Sequence, residues 1–384
     1  MDTKIVAMDS NRRLNLLSQK ILIAVFGFYP EQHGVAQAAY QQAIGLHQLG
    51  YDITVITRGV PQVNLPFKVV FVDEKVDYQL FLKSSEAEVI FFHGWHNWVS
   101  DWAIPVLPLI GKAILVSHGT NFNVRLGGIK GWLWWLRNRI EALRFREKMA
   151  RFDHFVFLSP KLEQQRMSDM ILAKKLNMSN YSIIPNGARP TFYQEPPLNF
   201  RVKNNITSSK ILLCVSNFQP TKGQRELVDW FMDLGLMDTA LVLVGSEFNA
   251  FSDRVKKQVG EHLDKTIFLF EKLSEEELQA AYYEATVFLS ATYTEVQPLM
   301  LLDAMSVGLP FLCRDVGVVS ELEGGICFKS KADFKKKLQW LLTGSLLREL
   351  LGKTGKKTAL KKYNWERIVR QYHNLIQNSL IQDA

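Results

Sequence analysis

The chain has 384 residues, which is too long for one hydrophobic core and predicts two domains, each of roughly half this length. Hydrophobic residues form 47% and charged residues 22% of the sequence, a balance that excludes a disordered chain and is ordinary for a globular protein. The formal net charge of +8 predicts an anionic partner, a role that a nucleotide, a lipid headgroup or a nucleic acid would satisfy.

The sequence lacks the signals of an oxidising compartment and of a membrane span. Its three cysteines, Cys214, Cys313 and Cys327, are scattered without the spacing of metal ligands. Residues 1–20 are polar and mixed in charge, and the apolar run at 21–29 is too short to cross a bilayer. We therefore expect a cytoplasmic protein.

The first half of the chain predicts buried parallel strands joined by helices. An apolar strand at 20–26, a loop, a helix to about residue 49 and a strand at 53–57 form one strand–loop–helix–strand unit. The loop lacks a dinucleotide-binding fingerprint, but Gly34 lies close to the helix start, where backbone amides can approach a phosphate or a sugar. Further strands are predicted at 68–72, 88–92, 113–117 and 154–159.

Two of these strands end in a histidine followed by glycine, at His93 and His118, and His33 precedes Gly34 in the same half. Ligands bind at the carboxyl edge of open parallel sheets, so histidines that leave strands there are candidate site residues. For a single His-Gly dipeptide, a histidine that is capped in a turn is about as good an explanation as a functional site. Three such pairs in one half favour a site.

Residues 126–151 form an unusually basic segment with apolar residues at helical spacing. The apolar stripe is Ile129, Trp132, Leu133, Leu136, Ile140 and Leu143, with Trp134 and Trp135 off it, among Lys130, Arg137, Arg139, Arg144, Arg146, Lys148 and Arg151, against Glu141 and Glu147. A basic amphipathic helix with extra tryptophans suits the surface of an anionic membrane. The alternative is a domain helix whose apolar stripe faces the core and whose arginines are merely solvated.

The second half repeats the architecture after a stretch at 189–209 that is rich in Pro, Asn, Ser and charge. Strands are predicted at 210–216, 240–244, 266–270, 286–290 and 310–313. We therefore predict two Rossmann-like parallel-sheet domains that face each other across a cleft. The predicted bounds are 1–190 for the first domain, 191–362 for the second and 363–384 for a final helix.

The stretch from Tyr293 to Pro310 predicts a strand end, a short loop and a helix. Pro298 fits the first helical position, and Gly308 predicts a left-handed cap. Two acids lie eight positions apart, Glu295 in the loop and Asp303 inside the helix. A helix N-terminus at the carboxyl edge of a parallel sheet binds anions, and a neighbouring acid can accept hydrogen bonds from hydroxyls of the same ligand.

The order of these motifs resembles the retaining nucleotide-sugar glycosyltransferases of family four, which have the GT-B architecture of two Rossmann-like domains. The resemblance extends from Ile21 to about Ile376. Its most specific part is Glu295 to Met305, which is similar to the family's E-x7-E motif with Asp303 in place of the second glutamate. Weaker matches are 184–187, 215–223, 272–278 and the helix around Trp365, which in the family crosses back to the first domain.

The resemblance implies roles for residues of the second half. Lys222 would pair with the donor diphosphate, Glu295 would meet the donor sugar, and Asp303 would accept from the ribose hydroxyls. Backbone amides at the helix start would bind the phosphates, and His118 of the first half would lie near the donor sugar. The implied catalytic set is His118, Glu295 and Lys222, and the implied nucleotide-sugar set is Gly34, Asn217, Lys222, Lys272, Leu273, Glu295, Gln297, Pro298, Leu299 and Asp303.

The sequence also departs from the family pattern. Asn217 stands where the family usually has an arginine, so one diphosphate cation is missing. Either another basic residue replaces it, for which Arg314 is a loose candidate, or donor binding is weaker or altered. His33 replaces the first glycine of the usual Gly-Gly. No D-x-D motif follows a strand, so we expect transfer without a metal or other cofactor.

We expect a cytoplasmic glycosyltransferase that uses a nucleotide sugar and a glycan or lipid-linked acceptor at the inner membrane face, in polysaccharide or glycolipid biosynthesis. One alternative keeps the donor chemistry with a nucleic acid as acceptor, although no recognised nucleic-acid module supports it. Another is a degenerate domain that binds a nucleotide or a membrane without turnover, for which only Asn217 argues. Lys222, Glu295, Asp303 and His118 argue against it.

Overall fold

The computed structural model describes residues 19–31, 33–59, 64–119, 128–161 and 168–381. The chain divides into two compact units. The first unit extends to Pro185 and takes up the chain again from Glu366, and the second unit is Asn186–Trp365.

The first unit is built on a seven-stranded sheet in which all neighbouring strands are parallel. Its strands are β1 (Lys20–Val25), β2 (Asp52–Thr57), β3 (Lys68–Phe71), β4 (Val89–His93), β5 (Lys112–Val116), β6 (His154–Phe157) and β7 (Tyr181–Ile183). Their spatial order is β3-β2-β1-β4-β5-β6-β7. Residues 21–25 of β1 are buried throughout, as expected for a central strand covered on both faces.

Helices join each strand to the next in sequence, except between β2 and β3, where the described residues contain no helix. They are α1 (Gly34–Gln48), α2 (Lys75–Ser84), α3 (Trp98–Ala103), α4 (Gly128–Met149) and α5 (Ser168–Lys175). The side chain of His33 caps α1, because its Nδ1 accepts a hydrogen bond from the amide of Ala36 at 3.2 Å. Asn97 caps α3 in the same way through the amides of Val99 and Ser100.

The second unit has a six-stranded parallel sheet in the order β10-β9-β8-β11-β12-β13. Its strands are β8 (Lys210–Val215), β9 (Thr239–Gly245), β10 (Ile267–Glu271), β11 (Val287–Ser290), β12 (Phe311–Arg314) and β13 (Gly325–Phe328). Its helices are α6 (Phe200–Lys203), α7 (Gln224–Leu234), α8 (Ala250–Val259), α9 (Glu275–Glu284), α10 (Leu299–Val307), α11 (Lys331–Thr343) and α12 (Ser345–Lys362). Two hydrophobic clusters form the core of this unit.

The last helix, α13 (Trp365–Ile381), packs on the first unit. The hydroxyl of Tyr51 lies 2.7 Å from Nδ1 of His373, and Gln377 donates to the same hydroxyl at 3.0 Å. Gly45 of α1 leaves room for Val369, since a Cβ at this glycine would lie 2.2 Å from a Val369 methyl carbon. The chain therefore returns to the first unit at its end.

Each sheet contains one point where the direction of strand addition reverses. In the first unit it lies between β1 and β4, and in the second between β8 and β11. Loops at the carboxyl ends of such a strand pair diverge and leave a crevice, which is where open α/β sheets bind ligands. The loops after β1, β4, β8 and β11 are therefore expected to border a ligand-binding site.

The predicted fold class, two Rossmann-like parallel-sheet domains with a final helix on the first, is confirmed. The edge strands β7 and β13 were not predicted, because they have three and four residues and only one fully buried side chain between them. Short, half-buried strands carry no apolar run to detect. None of the helices within the described residues is long and apolar enough to cross a membrane.

Candidate active site

In the second unit, the loops after β8 and β11 bring Lys222 and Glu295 together. Lys222 lies at the end of the first loop, just before α7, and Glu295 lies in the second, just before α10. The Lys222 Nζ is 2.5 Å from Oε1 of Glu295, and the Thr292 hydroxyl lies 3.3 Å from the same oxygen. Both charged side chains retain some exposure, 20% for Lys222 and 13% for Glu295. The reversal point of this sheet thus holds an accessible ion pair.

Backbone contacts hold these two loops against each other. The amide of Tyr293 donates to the carbonyl of Thr221 at 2.9 Å. Gly223, which ends the first loop, has a φ of +69°, and a Cβ there would lie 2.4 Å from the carbonyl oxygen of Ala291. Only glycine satisfies both the backbone angle and the close approach. The spacing between Lys222 and Glu295 is therefore fixed by main chain.

A third loop, after β12, supports Glu295 from the other side. Gly317 has a φ of +56°, and a Cβ there would lie 2.3 Å from the carbonyl oxygen of Glu295. The amide of Val318 donates to the carbonyl of Val296 at 3.2 Å. These contacts hold Glu295 through its backbone, so they orient its carboxylate without bonding to it.

Asn217 lies in the loop after β8, and a buried glutamine organises its backbone. The Nε2 of Gln224 donates to the carbonyl of Asn217 and to the hydroxyl of Ser216, both at 2.9 Å. Gln224 is the first residue of α7 and is 1% exposed. Gln224 was not predicted as a site residue, because a glutamine at a helix start carries no signal by itself.

The start of α10 differs by one residue from the prediction. Pro298 is the N-cap and Leu299 the first helical residue, a shift that is common at helix ends. The Gln297 side chain is buried, and its Oε1 accepts a hydrogen bond from the amide of Asn186 at 2.7 Å. Gln297 thus anchors the Pro-Asn-Gly turn at 185–187, and the first-turn amides of α10 remain the implied phosphate donors.

Asp303 lies inside α10 in a buried ion pair with Arg189. Its Oδ1 accepts from the amide of Arg189 and its Oδ2 from the guanidinium, each at 2.9 Å. Asp303 is only 1% exposed. Burial raises the pKa of its carboxyl, and the Arg189 charge opposes this shift. The structure therefore places Asp303 in a structural pair, and a ribose contact through Asp303 stays a proposal that needs this buried carboxylate to become accessible.

Lys272, Leu273 and Arg314 complete the sequence-derived residues of this unit. Lys272 is exposed beyond β10 with a φ of +52°, and its amide donates to the carbonyl of Gly245 at 3.3 Å. Leu273 is buried in the core. Arg314 is engaged elsewhere: its Nε donates to the carbonyl of Ala291, its NH2 lies 3.3 Å from Glu226, and its guanidinium lies over the Tyr293 ring at 4.4 Å. These contacts argue against Arg314 as the replacement for the missing arginine.

In the first unit, two of the predicted histidines meet at the carboxyl edge of the sheet. The Nδ1 of His93, the last residue of β4, lies 3.1 Å from Nε2 of His118, which follows β5. Their rings are stacked with centroids 5.3 Å apart. The Nε2 of His93 lies 2.5 Å from Oε1 of Gln42 on α1. Gln42 and His93 are buried, whereas His118 is partly exposed.

Both histidines are held neutral at neutral pH. Burial lowers the pKa of His118 to about 4, and the nearby His33 lowers it further. Burial also takes the pKa of His93 well below its ordinary value, with a smaller contribution from His118. A neutral imidazole has one protonated and one lone-pair nitrogen, so each ring acts as both donor and acceptor.

The loop that carries His118 is tied to α5. The Ser117 hydroxyl donates to Oδ2 of the buried Asp169 and accepts from the amide of Gly119 at 3.1 Å. Gly119 has a φ of +92°, a conformation that favours glycine. His118 is therefore positioned through both its backbone and its ring.

His33 and Gly34 lie at the start of α1. The His33 ring stacks on Phe26 with centroids 5.0 Å apart, and its Nε2 lies 3.0 Å from Glu31. Burial lowers the pKa of His33, and Glu31 opposes this shift. Gly34 is exposed at the first helical position. No group of three or more His, Cys, Asp or Glu side chains in the described ranges is arranged to hold a metal ion.

Comparison with known proteins identifies what this geometry resembles. Residues 198–358 match the family model of glycosyl transferases group 1. A search of curated proteins gave no match. Among solved structures, the chain is similar to sucrose-phosphate synthase from Thermosynechococcus elongatus, with a TM-score of 0.80 and 17% identity over 95% of this chain and 100% of that one.

Two further structures share the fold. A glycosyltransferase from Rickettsia africae has a TM-score of 0.75 and 15% identity, over 94% of this chain and 98% of that one. HepE from Anabaena, in complex with UDP and glucose, has a TM-score of 0.73 and 11% identity, over 94% of this chain and 100% of that one. At these identities the likeness concerns the fold. The family match to the second unit and the shared fold together support a glycosyltransferase that uses a nucleotide-sugar donor.

Proposed function

Since residues 198–358 match the family model of glycosyl transferases group 1, we propose that this chain transfers a sugar from a nucleotide sugar to a glycan or lipid-linked acceptor with retention of configuration. The observation that carries the proposal is the Lys222–Glu295 pair. It lies within the family-matched residues and at the reversal point of the second sheet, where an α/β fold binds its ligand. The proposal includes a role in polysaccharide or glycolipid biosynthesis.

The chemistry requires a cation at the leaving group. As the glycosidic bond breaks, the nucleoside diphosphate gains negative charge, and a fixed ammonium lowers the energy of that transition state. Lys222 is positioned for this role through Gly223 and the backbone contact with Tyr293. Glu295 would then turn to the hydroxyls of the donor sugar. Departure assisted by phosphate, with attack on the same face, needs no protein nucleophile and retains the configuration.

The phosphate site has an altered set of charges. Asn217 supplies a side-chain amide in place of the family's arginine. The guanidinium of Arg314 already contacts the carboxylate of Glu226 and the ring of Tyr293. Lys222 would therefore neutralise the diphosphate together with the first-turn amides of α10, whose dipole favours an anion. We propose that this suffices without a metal or another cofactor. For His118, the resemblance implies a place beside the donor sugar.

The exposure of α4 supports an acceptor at a membrane surface. The six apolar stripe residues from Ile129 to Leu143 are each between 38% and 84% exposed. They fall within an arc of about 100° at the helical period of about 3.6 residues. The helix instead buries Asn138, Phe145 and Met149 on its opposite face. The alternative in which the stripe faces the core is therefore wrong.

Charge on α4 fits the same surface. Arg137 and Arg144 lie along one edge of the stripe and Arg139 and Arg146 along the other, since residues seven apart share a helical edge. All four are exposed. An outward apolar stripe between two rows of arginine matches a helix that lies in the interface of an anionic bilayer. We propose that α4 docks the enzyme on the inner face of the membrane, where a lipid-linked acceptor would be presented.

A thermal-shift panel of nucleoside diphosphates and nucleotide sugars tests the donor site. A ligand at one hundred times its dissociation constant stabilises the folded protein by about 2.7 kcal/mol. At least one nucleoside diphosphate should raise the melting temperature, and release of free sugar from its sugar conjugate should follow. Lys222→Ala should abolish the shift, whereas Lys148→Ala, a matched substitution on α4, should leave it.

The outcomes separate the alternatives. No stabilisation by any member of the panel would refute the donor site. Binding without turnover on any acceptor would favour the non-catalytic alternative. A steep loss of acceptor binding with salt would favour a nucleic acid, because each phosphate contact releases counterions.

A further inference from the structure

A buried chain of hydrogen-bonding groups leads from the interior of the first unit to His118. It begins at Gln42 in the middle of α1, passes through His93 at the end of β4 and ends at the partly exposed His118 ring. Gln42 is 0% and His93 1% exposed. A fully buried Gln–His pair is costly unless it is hydrogen-bonded.

The chemistry of the partners fixes the direction of each hydrogen bond. Oε1 of Gln42 is a carbonyl oxygen, which only accepts, so His93 Nε2, 2.5 Å away, must donate to it. His93 therefore carries its proton on Nε2. Because burial keeps His93 neutral, its Nδ1 is a lone pair and must accept from His118. The His118 proton then lies on Nε2, at 3.1 Å from His93.

We propose that Gln42 and His93 are positioning residues that hold His118 in the tautomer with Nε2 protonated, so that its Nδ1 accepts a hydrogen bond from a sugar hydroxyl. The hydroxyl contact rests on the proposed function, whereas the tautomer does not. This chain of hydrogen bonds, the histidine relay, fixes the polarity of His118, because a ring free to exchange tautomers would face the ligand as a donor for part of the time. With the polarity fixed, His118 accepts from a hydroxyl or takes its proton, and it does not donate to an oxygen.

The alternative is the opposite set of hydrogen-bond directions, in which His118 carries its proton on Nδ1. If the Gln42 amide were turned, its Nε2 would donate to His93, His93 would donate through Nδ1, and His118 would carry its proton on Nδ1. The same reversal follows from Gln42→Glu. An uncompensated charge is costly at this buried site, so the carboxylate brings one more proton with it. Whether that proton lies on the carboxyl or on His93, His93 then donates through Nδ1 and His118 Nε2 must accept.

Nitrogen NMR of protein with 15N-labelled histidine imidazoles measures the tautomer directly, without any sugar. The His118 signals are assigned by their loss in His118→Gln. We expect the wild-type protein to show His118 with a protonated Nε2 and an unprotonated Nδ1, and Gln42→Glu to show the reverse. A wild-type His118 with its proton on Nδ1, or a tautomer that is the same in both proteins, would overturn the proposal.

Kinetics test the hydroxyl contact. Gln42→Glu should lower kcat at least about tenfold while the affinity for nucleoside diphosphate is unchanged, because the diphosphate contacts are implied for the second unit. Gln48→Glu makes the same change at an exposed position of α1 and should leave both the tautomer and kcat unaltered. If Gln42→Glu fails to fold, the wild-type tautomer still decides. A reversed tautomer with unchanged kcat would overturn the hydroxyl contact alone, and loss of diphosphate binding by the wild-type protein would instead refute the donor site.

Discussion

Lys222 and Glu295 form an ion pair in the second unit, with Nζ of Lys222 2.5 Å from Oε1 of Glu295. A diphosphate that binds Lys222 must therefore displace the carboxylate or share the ammonium with it. We expect Glu295→Gln to bind nucleoside diphosphate about three- to tenfold more tightly than wild type, since competition for Lys222 is removed, a gain of about 1 kcal/mol for a partly exposed pair. Transfer should fall, because the contact with the donor sugar is lost. Calorimetric titration measures the affinity.

The control for this prediction is Glu323→Gln, which opens another lysine–glutamate pair of the second unit, with Lys362 at 3.2 Å. Its affinity should equal that of wild type. Weaker diphosphate binding by Glu295→Gln would contradict a competitive pair and would indicate that Glu295 supports the phosphate site.

Asp303 and Arg189 form the buried counterpart of this pair. Asp303→Asn preserves the side-chain size and one oxygen acceptor but leaves the Arg189 guanidinium without its counter-charge. Removal of one partner of a buried ion pair costs about 3–5 kcal/mol, so we expect the free energy of unfolding of the second unit to fall by this amount. Urea denaturation, monitored by hydrogen exchange of the α10 amides, measures this change in the free energy of unfolding.

The double variant Arg189→Met/Asp303→Leu is the control, because it removes both charges and should recover much of the lost stability. A stable Asp303→Asn with weaker nucleotide affinity would show instead that Asp303 serves the ribose.

Much of the fold was predictable because buried parallel strands are continuous apolar runs, and the loops after β8 and β11 follow such runs directly. The joining of Lys222 and Glu295 follows from topology, since both loops leave the same edge of the sheet. The pairing of Asp303 with Arg189 was not predictable. It spans 114 positions and depends on how the turn after β7 packs on α10.

The histidine relay, from Gln42 through His93 to His118, was likewise only partly predictable from the sequence. The two histidines were predicted to reach one edge, but Gln42 lies 51 positions before His93, on a helix whose sequence gives no sign of a buried polar residue. The stripe on α4 was found by its period, but periodicity identifies a face without saying what covers it. Its exposure is visible only once Phe145 and Met149 are seen to be buried.

The histidine relay also makes stability depend on pH. An ordinary histidine has a pKa near 6.5, whereas burial lowers that of His118 to about 4. Between these values the unfolded chain binds more protons than the folded one, so the free energy of unfolding decreases as pH falls from about 7 to about 4. His118 should contribute about 2 kcal/mol of this loss by about pH 5.

Urea denaturation of wild type and His118→Gln at about pH 7.5 and about pH 5 tests this dependence. The variant should lose about 2 kcal/mol less stability than wild type over this interval. His262→Gln, at an exposed histidine of the second unit, is the matched control for the substitution. Equal losses in wild type and His118→Gln would show that His118 is not held neutral by the fold.

The outward face of α4 predicts binding to anionic vesicles. Leu143 is 84% and Ile129 81% exposed, and each apolar side chain that enters the bilayer interface contributes on the order of 1 kcal/mol. We expect Ile129→Ser/Leu143→Ser to weaken vesicle binding about tenfold or more. Arg137→Gln/Arg144→Gln should weaken binding to anionic vesicles but not to neutral ones, because each basic residue contributes about 1 kcal/mol at an anionic surface only.

Lys148→Ala provides the internal control on the same helix. Lys148 already lies 2.5 Å from Glu141 and 4.0 Å from Asp101, so its charge is compensated within the protein and its loss should change vesicle binding little. Flotation of the purified protein with vesicles of defined composition measures each variant. Binding that survives loss of both the apolar and the arginine side chains would reject the membrane role of α4, whereas a loss confined to the arginine variant would indicate electrostatic attraction without insertion of the stripe.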